Sequence, residues 1–119
     1  VFPVYVTMLT LRWMKSLGGV SGIQAKNEAK SALIYEEIDR NPLFEGHAEV
    51  SSRSHMNATF RLKEDAHAER FDQLWKSAGI SGLKGHRSVG GYRASMYNAL
   101  PLESVQVLVD VMQDLEKQA

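Results

Sequence analysis

Residues 55–62 (HMNATFRL) constrain the fold of this chain more than any other stretch. His55, Asn57, Thr59 and Arg61 alternate with Met56, Ala58, Phe60 and Leu62, the two-residue period of a strand that buries one side only. A second alternation lies within residues 91–100, where Tyr92, Ala94 and Met96 share one side and Arg93, Ser95 and Tyr97 the other. Elsewhere the apolar period changes to that of helices.

Residues 1–17 carry Phe2, Tyr5, Leu9 and Trp13 on one helical face, with Val6 and Leu17 alongside and Val4, Met8 and Leu11 on a second side. Such a helix is expected to be buried on more than one face. Pro3 suits its first turn and Gly18-Gly19 its end. A second helix is predicted over 20–40, apolar at Ile23, Leu33, Ile34 and Ile38, and stopped by Asn41-Pro42. Glu36 and Glu37 lie within helical reach of Arg40, the pattern of a solvated face. Residues 43–54 read as loop. Asp65 is placed to cap a third helix over 66–78, with Ala68, Phe71, Leu74, Trp75 and Ala78 inward. Pro101 opens the last helix, apolar at Leu102, Val105, Leu108, Val109, Met112 and Leu115. This order predicts an α+β fold: a small two-layer sandwich with helices packed on one face of a largely antiparallel sheet. One domain over 1–119 is expected, since 119 residues suffice for one modest core.

Composition narrows the function. Lysines and arginines equal aspartates and glutamates at 14 each, so the basic surplus of a phosphate-neutralising nucleic-acid binder is missing. The chain holds no cysteine, which removes thiolate and zinc–sulfur chemistry and fits a reducing, cytoplasmic setting. The first helix is too short for a membrane span and contains Arg12 and Lys15. None of His47, His55, His67 and His86 has metal-type spacing with another ligand, and no serine sits in a G-x-S-x-G elbow. Lys26 lies in a helix of alternating charge, where nothing would desolvate its amine for Schiff-base work. Val1 opens directly on apolar residues, so the chain is expected to continue a longer protein.

Against this background one stretch stands out. Residues 83–101 (LKGHRSVGGYRASMYNALP) bring Lys84, His86, Arg87 and Arg93 together with Gly85, Gly90 and Gly91, without a carboxylate before Glu103. Arginine forks match the paired oxygens of carboxylates and phosphates, and glycines allow tight turns close to a ligand. Arg87 and Arg93 lie six residues apart across the Gly-Gly bend. They could grip two separate anionic groups, which suits a small doubly anionic metabolite such as a phosphorylated amino or hydroxy acid. A stand-alone, non-catalytic module binding such a metabolite is the alternative reading.

The segment KGHRSVGGYRASMYNALPLE closely resembles the C-terminal part of the phosphoserine aminotransferases, a family of pyridoxal-phosphate (PLP) enzymes. The apolar helix with its Gly-Gly stop, the RSHMNATF strand and the PLE-led final helix occur in the family's order. The resemblance implies the C-terminal small domain of a fold-type I, class V aminotransferase. It implies that His86 and Arg87 bind the substrate phosphate and that Arg93 binds the α-carboxylate; Lys84 is expected to add to the field. It further implies a reaction that exchanges an amino group between glutamate and 3-phosphohydroxypyruvate, giving phosphoserine and 2-oxoglutarate in serine biosynthesis. PLP, its Schiff-base lysine and the other catalytic groups would belong to a large domain outside 1–119, in a cytoplasmic homodimer, leaving this chain inactive alone. His55 stands where an arginine is common in the family.

Overall fold

The computed structural model describes every residue from Val1 to Ala119. The elements are α1 (Phe2–Ser16), α2 (Gly19–Arg40), β1 (Phe44–Gly46), β2 (Asn57–Leu62), α3 (Ala68–Ser77), β3 (Tyr92–Ser95) and α4 (Leu102–Gln118). The sheet runs β1-β2-β3 and is antiparallel throughout, with Phe44 opposite Leu62 and Thr59 opposite Arg93.

The two alternating stretches bury the residues their period assigns. Ala58, Phe60 and Leu62 from β2, and Tyr92, Ala94 and Met96 from β3 and its extension, share one core with the helices. Ile34 and Ile38 of α2, Phe71 and Trp75 of α3, and Val105, Leu108, Val109, Met112 and Leu115 of α4 close over that face. Arg61 and Arg93, on the other face, are exposed. The predicted α+β two-layer arrangement is therefore present. At its centre, the Phe71 ring meets Phe44 at 5.0 Å and Tyr92 at 4.9 Å, both edge-on, the geometry that aromatic quadrupoles favour.

Four local expectations need correction. β1 lies in the stretch read as loop: three residues are too few to show a period, although Phe44 is fully buried. Asp65 does not cap α3, which is entered through a 3-10 turn over Asp65–His67 without a side-chain cap. Glu37 is not on a solvated face. Its carboxylate is 4% exposed and receives Arg40 through two nitrogens at 2.6 and 3.0 Å, Asn41 at 3.1 Å and Gln113 at 3.4 Å, so it ties α2 to α4.

The fourth concerns α1. No residue of this helix is buried, and Phe2, Val4, Tyr5, Leu11 and Trp13 are all exposed. The radius of gyration is 16.0 Å, against roughly 13–14 Å for a compact domain of this length. Only its C-terminal end approaches the body, where Trp13 and Leu17 border a cleft against α2 and residues 98–103. The expected burial on more than one face is therefore not met: both apolar sides of α1 stand exposed.

Burial alone would raise the Glu37 pKa, yet its donors outweigh burial and hold it below the usual carboxylate range. The unfolded chain therefore takes up this proton first as pH falls. Glu37's contribution is complete above about pH 4.5 and is lost on further acidification through its folded-state value. The unfolding midpoint should fall more steeply below about pH 4.5 in the parent chain than in Glu37→Gln. Parallel curves for the two proteins would contradict this.

Candidate anion-binding site

The segment singled out in the sequence forms a hairpin at the end of the sheet. Lys84 bridges Tyr92, the Gly85 amide donates to the Gly91 carbonyl at 2.9 Å, and the Arg93 amide donates to the Leu83 carbonyl at 2.7 Å. Gly90 and Gly91 both adopt left-handed backbone, with φ of 74° and 64°, which other residues reach only with strain. A Cβ at Gly85 would overlap the Gly90 carbonyl, and one at Gly91 would stand 2.7 Å from the Phe60 carbonyl oxygen. The diglycine is thus less a hinge than a fixed turn, pressed against β2.

His86 and Arg87 occupy the tip of this hairpin and are exposed. The His86 carbonyl accepts the amides of Val89 and Gly90, at 3.0 and 2.8 Å, and its ring Nδ1 accepts the Ser88 amide at 3.2 Å. With Nδ1 acting as acceptor, the proton of the neutral ring sits on Nε2. His86 therefore presents a donor to solvent, and Arg87, next to it in sequence, is exposed as well.

Arg93 projects from the stem of the same hairpin on the sheet face away from the core. It borders a cleft of about 380 Å³ between β3, residues 78–83 and the start of α4, with Leu83, Ala94, Leu100, Val105 and Leu108 among its walls. Elsewhere the guanidinium groups are engaged: Arg40 by Glu37 and Glu116, Arg53 by Asp39, Arg61 by Glu45, and Arg70 by Gln118. Arg87 and Arg93 have no internal hydrogen-bond or ion-pair partner, a property they share with Arg12 on the bare α1. Two donors left unpaired on one hairpin, at its tip and its stem, are what anion capture requires.

Lys84, expected to add to the field, has a partner within the chain. Its Nζ lies 2.8 Å from Asp72 Oδ2 of α3 and 5.7 Å from the centre of the Tyr92 ring. Its charge is therefore matched within the chain. Asp72, which sequence reasoning passed over, also accepts the Tyr92 hydroxyl at 2.9 Å and Trp75 Nε1 at 3.0 Å. No spacing rule links positions 72, 75, 84 and 92, so only the fold reveals the cluster. His55 is exposed, with its Nδ1 2.7 Å from the buried Ser31 hydroxyl.

Another group missed in the sequence is Lys30, which is 2% exposed and donates to the Tyr97 carbonyl at 2.8 Å. Burial first, and then neighbouring Lys26, lower its pKa. Asn27 donates to Asn98 at 2.8 Å, and together these bonds tie the segment after β3 to α2. No group of three histidine or carboxylate side chains is arranged for a metal. No helix is long and apolar enough to cross a membrane.

Comparison with known proteins agrees with this architecture. The family model Aminotransferase class-V matches residues 1–108, and the chain belongs to that family. Within it, the likeness is to phosphoserine aminotransferases. That of Flavobacterium psychrophilum is 66% identical over 98% of this chain and 33% of its own length, and that of Flavobacterium johnsoniae is 65% identical over the same shares. The solved phosphoserine aminotransferase of Bacillus circulans subsp. alkalophilus superposes with a TM-score of 0.92 at 42% identity, over 98% of this chain and 33% of that one. A PLP-bound phosphoserine aminotransferase from Trichomonas vaginalis superposes with a TM-score of 0.77 at 39% identity, over 86% of this chain and 30% of that one. The resemblance read from residues 84–103 is thus borne out, and this chain spans about a third of the length of the curated relatives it matches.

Proposed function

We propose that residues 1–119 form the C-terminal small domain of a phosphoserine aminotransferase, which exchanges an amino group between glutamate and 3-phosphohydroxypyruvate to give phosphoserine and 2-oxoglutarate. The observation that carries this reading is the pair of unengaged guanidinium groups on one hairpin. Arg87, with the Nε2–H of His86, holds the substrate phosphate, and Arg93 takes the α-carboxylate in a fork. The two grips together select a substrate with an anion at each end.

The exposed apolar sides of α1 suit contact with the rest of a longer polypeptide, in which a large domain precedes this one. The class implies PLP, which supplies an electron sink for carbanionic chemistry when bound. The residues of this chain do not fit that cofactor: Lys30 has its amine committed to the Tyr97 carbonyl, and every other lysine is exposed to water. On this reading the cofactor and its lysine belong to the large domain. A cytoplasmic homodimer is the assembly in which this domain would work, within serine biosynthesis.

The test is turnover by the full-length, PLP-loaded protein with 2-oxoglutarate as acceptor. Phosphoserine should be used about 100-fold or more better than serine, as expected when buried or paired polar groups lose their partner. Equal use of serine would remove the phosphate role of His86 and Arg87.

A further inference from the structure

Asp72 is the unexplained carboxylate of this hairpin. It sits on α3, outside the anion-gripping segment, with its side chain 18% exposed. Two of its donors, Lys84 and Tyr92, face each other across the hairpin stem, one residue below the Gly85–Gly91 pair from which the tip springs. The third, Trp75, belongs to α3 itself. Tyr92 is further fixed by the Phe60 ring, stacked at 5.7 Å and 23°, and by the edge of Phe71. One carboxylate therefore fastens both strands of the stem to a helix seated in the core. The arrangement also gives the Lys84 ammonium a counter-ion within hydrogen-bond distance.

We propose that Asp72 is a positioning residue for the phosphate grip: by holding Lys84 and Tyr92 it fixes where the hairpin tip presents His86 and Arg87. This rests on the reading of the tip as a phosphate-binding element. Arg93 emerges from the stem on the opposite, open face of β3, where the sheet pairing with β2 keeps it in place. Loosening the Asp72 fastening should therefore weaken recognition of the distal anion, and a phosphate, which offers more oxygens to the tip than a carboxylate does, should suffer more than the γ-carboxylate of glutamate.

Substitution chemistry separates this role from its rivals. In Asp72→Asn the amide oxygen can still accept from Tyr92 and Trp75, but its NH2 group then faces the Lys84 ammonium, donor against donor. The fastening of Lys84 is lost while the buried hydrogen bonds persist. Lys84→Met removes the same link from the other side. If Lys84 instead attracted the phosphate directly, Asp72→Asn would free its charge and tighten phosphate binding.

The experiment measures KM and kcat of the full-length PLP-loaded enzyme for phosphoserine and for glutamate in Asp72→Asn, Lys84→Met, the double variant and Arg87→Ala. Asp72→Asn and Lys84→Met should each raise the KM for phosphoserine about fivefold, the order expected when a binding group is misplaced by a fraction of an ångström. The double variant should be no worse than either single, since all three break one link. The KM for glutamate should rise clearly less than that for phosphoserine, a split that general loss of stability would not produce. An unchanged or lowered KM for phosphoserine in Asp72→Asn, alongside a raised one in Arg87→Ala, would overturn the role of Asp72 and leave the phosphate grip standing. Equal rises for both substrates would also overturn it. If Arg87→Ala itself leaves phosphoserine unaffected, the phosphate grip falls, and the role of Asp72 with it.

Discussion

Arg93→Ala in the full-length enzyme is expected to lower kcat/KM for glutamate and for phosphoserine alike, by about 10- to 150-fold. Both substrates carry an α-carboxylate, and loss of a charged hydrogen-bonding partner typically costs about 1.5–3 kcal/mol. Arg93 has no ion pair in this chain to break, so the loss is one of ligand contact and not of fold. Arg87→Ala should instead reduce phosphoserine use by a similar factor and glutamate use by clearly less, since a phosphate makes more bonds to the tip than the γ-carboxylate of glutamate can. Steady-state kinetics with each donor, under the same acceptor and salt, makes the comparison. Equal losses in both variants on both substrates would refute the division of labour between the tip and the stem of the hairpin.

The second large effect concerns stability. Phe71 has no exposed surface, and its ring touches those of Phe44, Phe60 and Tyr92 at 5.0, 6.4 and 4.9 Å. Phe71→Ala would empty the space between α3 and all three strands of the sheet. Truncations of this kind cost about 3–5 kcal/mol, a large fraction of the stability of an ordinary domain. Urea unfolding followed by tryptophan fluorescence gives the measurement, since Trp75 lies in the same cluster. A loss under about 1 kcal/mol would mean that the core closes over the gap without a cavity, contrary to the packing described.

The legible parts of the structure were those written in local periodicity. Ala58 and Phe60 in β2, and Tyr92, Ala94 and Met96 along β3, are buried as alternation requires, and Val105, Leu108, Val109, Met112 and Leu115 line the inner face of α4. The candidate ligands were legible by type, because two arginines and a histidine among glycines, with no acid nearby in sequence, leave little else for their charge to do. Partnerships across the fold were not legible. Lys84 looked like one more free cation until the fold brought Asp72 beside it. Glu37 looked solvated because only Arg40 lies near it along the helix, whereas Gln113 reaches it from α4. Lys30 carried no signal, since a lysine's burial depends on the carbonyl it finds, here that of Tyr97. In α1 the pattern reported what the helix is suited to touch, and it is silent about which polypeptide supplies the touching surface.

The two left-handed glycines that close the hairpin have a further consequence. Their backbone is arrested when the polypeptide folds, before any guest arrives, and Gly91 lies so near the Phe60 carbonyl that the arrest is shared with the central strand. On the proposed reading, a phosphate docking on His86 and Arg87 would meet a receptor whose main chain is already still, and little of the attraction would be consumed in quieting it.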